Sequence, residues 1–102
     1  MPQPQNLNAS IEYQQGSVVS KEIVSKPTGT VTLFAFDKGQ GLSEHAAPYD
    51  ALAFIIDGVA SITIDGTQHE VQTGEMLLMP ANVTHALKAT QPFKMMLTML
   101  KS

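Results

Sequence analysis

Residues 60–72, Ala60-Ser61-Ile62-Thr63-Ile64-Asp65-Gly66-Thr67-Gln68-His69-Glu70-Val71-Gln72, decide the fold. Ala60, Ile62 and Ile64 alternate with Ser61, Thr63 and Asp65, which gives an extended strand one apolar and one wet face. Asp65-Gly66 separates this run from a second one, 67–72. Gly supplies the positive φ of a tight turn, so the two runs read as a β-hairpin.

The same grammar extends in both directions. Val, Ile and Thr number 7, 6 and 9, so 22 of 102 residues are β-branched, and such side chains suit a pleated, half-buried surface. Gly and Pro punctuate at short intervals, and the spacing predicts nine strands over 17–25, 30–36, 42–46, 51–57, 60–65, 67–72, 76–79, 84–90 and 93–100. Residues 51–56 are almost continuously apolar. If Ala53 and Ile55 face inward, Leu52, Phe54 and Ile56 face away. That second face needs cover from a partner chain or from the N-terminal segment. No stretch shows capped helical periodicity. The expected fold is all-β, a small antiparallel double-sheet β-barrel of jelly-roll type over 13–102. Residues 1–12, polar and rich in Pro and Gln, read as a flexible or loosely docked arm.

Composition narrows the chemistry. All six cations are Lys and the net charge is −3, so nucleic acid is not an expected partner. The absence of Arg excludes a bidentate guanidinium clamp within one chain. The absence of Cys excludes disulfides, thiolate metal sites and a Cys nucleophile. No apolar run is long enough for a membrane span. The first residues lack the basic and apolar regions of a signal peptide, so a cytoplasmic location is expected. No nucleophile elbow or phosphate-binding glycine loop occurs.

Three His remain: His45, His69 and His85. Gly39-x5-His45-x-Ala47-x3-Ala51-x6-Gly58 resembles the first cupin motif, whose usual residues are Gly, His, His, Glu and Gly. Gly74-x5-Pro80-x-Asn82-x2-His85-x3-Ala89 resembles the second, usually Gly, Pro, Gly, His and Asn. The resemblance covers residues 39–89 and implies a single cupin barrel with its pocket at one end. It also implies a divalent metal such as Zn, Ni or Fe, held by two His and a Glu of the first motif and one His of the second. Here Ala47 and Ala51 stand at two of those four positions, leaving His45 and His85. Asp50 is a further candidate ligand, one residue from the Glu position, although strand alternation turns it to the opposite face. Two His alone would hold a metal weakly, completed by water.

The expected pocket residues are His45, Tyr49, Met79, His85 and Gln40, with Ala53, Ile55 and Leu77 as apolar lining. Asn82, at a Gly position of the family, is expected to take positive φ. His69 reads as an ordinary strand residue. Most of Met76, Met79, Met95, Met96 and Met99 read as core, since Met fills irregular gaps. Two functions follow from the resemblance. One is a small-molecule-binding barrel with a degenerate two-His site. The other is a metal-dependent dioxygenase or isomerase that needs a third ligand. A barrel without any ligand is a further alternative. Small barrels of the family usually pair through a sheet, so a homodimer is expected.

Overall fold

The computed structural model describes residues 3–101. Nine strands follow in order: β1 (Val18–Lys26), β2 (Gly29–Phe36), β3 (Gly41–His45), β4 (Asp50–Asp57), β5 (Val59–Ile64), β6 (Thr67–Gln72), β7 (Met76–Met79), β8 (His85–Lys88) and β9 (Phe93–Leu100). They form a five-stranded sheet, β1-β2-β9-β4-β7, and a four-stranded sheet, β3-β8-β5-β6. All pairings are antiparallel. Among the described residues helix is limited to a single 3₁₀ turn at Asn8–Ser10. None is long and apolar enough to cross a membrane.

The nine strands stand where the sequence places them, with small differences at the ends. β8 stops at Lys88 rather than running on to residue 90. Its next residue, Ala89, pairs with a loop instead: Ala89 N–H donates to the Gln40 carbonyl and Gly39 N–H to the Ala89 carbonyl. The 60–72 hairpin closes with Ile64 opposite Thr67. Asp65 and Gly66 both have positive φ, 49° and 80°, the geometry whose twist matches the flanking strands. Asn82 has φ 65°, as its place in the second motif requires.

The inner faces of the two sheets meet in one core. Phe36, Ala53, Ile55, Phe93 and Met95 come from the five-stranded sheet, and Ala60, Ile62, Val71 and Leu87 from the other. Phe36 stacks on Phe93 with centroids 4.5 Å apart and planes 11° from parallel. Burying each such large side chain is worth roughly 1.5–3 kcal/mol. Ala51, Ala53 and Ile55 point in, while Leu52, Phe54 and Ile56 lie on the other face. Met79 and Met95 belong to the core, but Met76 is 68% exposed and Met96 packs on the outer face, so core filling accounts for only part of the Met set.

The outer face of the five-stranded sheet carries a second apolar cluster, Leu33, Ala35 and Ile11 with Tyr13, Val19, Ile56 and Met96 packed against it. Ile11 and Tyr13 come from the segment preceding β1. Part of the arm is therefore anchored on the barrel, with Ile11 buried. The rest of that outer face stays open, with Met76, Leu78 and Leu100 among its exposed residues.

Candidate functional site

The antiparallel register brings His45 of β3 directly opposite His85 of β8, and His85 in turn lies opposite Ile64 of β5. Ile64 packs on the core, so both imidazoles rise on the inner side of the four-stranded sheet. Their ring centroids are 4.3 Å apart and the planes cross at 68°, an edge-to-face contact. Residues 40 positions apart in sequence thus share one end of the barrel. His45 is exposed at the rim and His85 is buried beneath it.

Each ring is oriented by a carbonyl two residues earlier. His45 Nδ1 lies 2.7 Å from the Ser43 carbonyl oxygen, and His85 Nδ1 lies 3.3 Å from that of Val83. A carbonyl only accepts, so Nδ1 carries the proton in each neutral ring and Nε2 keeps its lone pair. That tautomer is the one that accepts a hydrogen bond or binds a metal through Nε2. Burial pushes the His85 pKa below its ordinary value, and the neighbouring His45 pushes it the same way, against the opposing pull of the Val83 carbonyl. His85 is therefore neutral at pH 7.

The remaining expected site residues are dispersed. Asp50 is exposed, and its Oδ1 accepts the Ala81 N–H at 2.8 Å. Its carboxylate thereby braces the turn that carries Asn82. Asn82 N–H in turn donates to the Ala47 carbonyl, tying the two motif loops together. Among the described residues no group of three or more His, Cys, Asp or Glu could hold a metal. Two imidazoles fall short of the three protein ligands of a catalytic metal site, so the donor set does not fit a resident metal. Tyr49 is half-buried, with the Lys101 ammonium 5.6 Å from its ring centroid. Met79 is packed in the core beside Ala53 and Ile55. His69 lies opposite Ile62 on the edge strand β6 and is half-buried.

Gln40 lines a different hollow, an open groove of about 400 Å³ with Gly41, Ser43, Ser61, Thr63 and Lys88. Ser61 and Thr63 alternate with the buried Ala60 and Ile62, which puts this groove on the solvent side of the four-stranded sheet, away from the His pair. Sequence reasoning missed it because it depends on how β3 bends over β8. A Cβ on Gly41 would lie 2.3 Å from the Leu87 carbonyl oxygen, so only Gly allows that approach. The register also shifts between Leu42 and His45.

Two antiparallel sheets closed over one core, with one His from each of two spaced motifs at the same end, define a double-stranded β-barrel of the cupin type. The Cupin domain family model matches residues 32–100, and the chain belongs to the cupin family. A cupin 2 conserved barrel domain protein from Leptotrichia buccalis is 43% identical with a TM-score of 0.92; the match covers 95% of this chain and 47% of that one. This chain therefore spans about half of that relative. A conserved protein of unknown function from Streptococcus pyogenes is 33% identical with a TM-score of 0.95, over 100% of this chain and 90% of that one. A salicylate 1,2-dioxygenase from Pseudaminobacter salicylatoxidans shares the fold at 15% identity and a TM-score of 0.74, over 80% of this chain and 26% of that one. No curated protein matches the sequence.

Proposed function

We propose that this cupin binds a small molecule at the mouth of its barrel, with His45 and His85 as its polar anchor. The observation that carries this reading is the pair itself: two imidazoles in edge contact at 4.3 Å, each held by its Nδ1. In that tautomer each Nε2 keeps a lone pair, which suits a ligand that brings hydrogen-bond donors. Ala47 and Ala51 stand where the family's usual ligands would, and their methyl groups offer no donor atoms to a metal. A divalent cation such as Zn, Ni or Fe would find two protein nitrogens there and take water for the rest, so it would bind weakly. The alternative, a metal-dependent dioxygenase or isomerase, needs a third ligand that neither Ala47 nor Ala51 supplies.

A second reading, a barrel that takes no small molecule, is favoured by the packing below the mouth. Phe36, Phe93, Ile55, Ile62, Met79 and Met95 fill the interior. The open sheet face with Leu52, Phe54, Met76 and Leu78 supports pairing of two chains into a homodimer. Calorimetric titration of Zn, Ni and Fe(II) into the native protein and a His45→Ala variant tests the site. Weak binding that disappears in the variant is expected. Tight stoichiometric binding would overturn the two-ligand reading and point to a third ligand, Asp50 first. A small-molecule library screened by chemical-shift change separates the remaining two: perturbed His45 and His85 ring signals support a ligand, and silence there supports the empty barrel.

A further inference from the structure

The sequence placed no function on Lys94, yet its side chain is one of two buried polar or charged ones among the described residues, with 5% exposure. Alternation along β9 turns it to the outer face of the five-stranded sheet, between Ala35 of β2 and Asp57 of β4. A buried ammonium needs acceptors for its protons. All of those found for Lys94 come from the N-terminal arm. Nζ donates to the Asn8 carbonyl at 2.7 Å and to Asn8 Oδ1 at 2.9 Å. It also sits 5.0 Å from the centroid of the Tyr13 ring, within cation–π range.

The contacts around this cation are equally specific. Tyr13 O–H donates to Asp57 Oδ2 at 2.6 Å. Ile11 inserts among Leu33, Ala35, Val19, Ile56 and Met96. The arm segment also organises itself: Ala9 N–H donates to Asn6 Oδ1 and Ser10 O–H to the Asn6 carbonyl, forming the 3₁₀ turn that presents both Asn8 oxygens to Lys94. A cation, a carboxylate and an apolar hollow thus each meet a matching group of one short segment.

We propose that the outer face of the five-stranded sheet is a peptide-binding seat with Lys94 as its recognition cation, and that its occupant is this chain's own segment 6–13. The seat reads a carbonyl-bearing turn, a branched aliphatic side chain two residues before a tyrosine, and the tyrosine hydroxyl. The bound arm works as a strap that keeps Leu33, Ala35, Ile56 and Met96 out of water. Its release would join that apolar area to the open part of the same face. This inference is independent of what binds at the His pair.

The test uses the full-length chain with an Ile11→Asp substitution, which removes the arm's anchor and leaves the seat intact. A labelled peptide of residues 3–15 is titrated by fluorescence polarisation, and cleavage after Glu12 by a Glu-specific protease reports arm release. Ile11→Asp is expected to accelerate that cleavage at least about tenfold and to bind the peptide saturably. The native protein, its seat filled, should bind the peptide at least about tenfold more weakly. The Ile11→Asp/Lys94→Met double variant should show the same weakness, since hydrogen bonds to a charged group are the stronger class. Asn8→Ala, at an exposed position, supplies the same measurement if Ile11→Asp does not fold. An arm that stays protected, a released arm with no gain in peptide binding, or a double variant that binds as well as the single one each overturns the proposal.

Discussion

Substituting Ala51 by Glu returns a carboxylate to the position where the family's first motif carries one. Ala51 is 3% exposed and packs with Met79, Ala53 and Met95. A carboxyl there must either stay ionised without water or hold a proton at neutral pH. Holding the proton at pH 7 against an ordinary pKa of about 4.3 costs roughly 2.7 × 1.36, or about 4 kcal/mol. An acid whose folded pKa is raised loses stability as pH climbs above its unfolded pKa. The variant should therefore be least destabilised near pH 4, where only the cost of added volume in a packed core remains, about 1–3 kcal/mol, and weakest above pH 7. Metal should reverse the loss. With the carboxylate joining His45 and His85, three protein ligands meet the requirement of a catalytic site. Free Ni or Zn at about 100 times its Kd would restore about 2.7 kcal/mol, a Tm rise of about 10–20 °C for a domain of this size. Thermal unfolding by circular dichroism at pH 7, with and without 1 mM Ni, measures both effects. His85→Ala on the Ala51→Glu background should abolish the rescue. A variant that is destabilised but gains no more from Ni than the native protein would refute the assignment of Ala51 to the ligand position.

Three further outcomes are expected. The lowered pKa of His85 means that the unfolded chain takes its proton first, so stability should fall as pH drops from about 6.5 through the depressed folded value. His85→Gln should flatten that part of a urea-midpoint profile, and an unchanged slope would contradict the buried neutral state. Gly58→Ala should cost at least about 2 kcal/mol, since φ is +80° and the new Cβ would lie 2.3 Å from the Pro92 carbonyl oxygen; Gly66→Ala, with the same φ but open space, should cost clearly less in the same denaturant titration. Leu78→Lys, at a site 49% exposed, should halve the mass found by light scattering while leaving stability within about 0.5 kcal/mol; an unchanged mass would place any dimer contact elsewhere.

Strands and hairpin turns were legible because their signals are local. Ile62 and Ile64 show the period of two in their own neighbourhood, and Asp65-Gly66 carries its turn geometry in two residues. The His pair was legible through motif spacing, which stands in for a register that composition alone does not give. Gln40 and Met79 were harder. Which side of a loop Gln40 faces depends on how β3 bends over β8, and Met79 lies one residue before the motif Pro80 yet points into the packed interior. Lys94 was the least accessible. Alternation places it on the outer face, but its partner Asn8 is 86 positions away, and nothing in the polar arm announces that it would supply acceptors for a buried cation.

The strand order β1-β2-β9-β4-β7 has a consequence for biosynthesis. β9, the last of the nine strands in chain order, sits in the middle of its sheet, between β2 and β4. Until residues 93–100 emerge, both of those strands present unpaired amides and carbonyls along their whole length, the kind of edge that invites pairing with another nascent chain. The four-stranded sheet repeats the arrangement, since its own last strand, β8, lies between β3 and β5, but that strand ends earlier, at Lys88. The larger sheet can therefore close only when β9 slides into its gap, and the shared core is completed by the same step, since Phe93 and Met95 belong to it. A released chain truncated after residue 92 should leave β2 and β4 labile to amide exchange, and restoring residues 93–100 should protect both together.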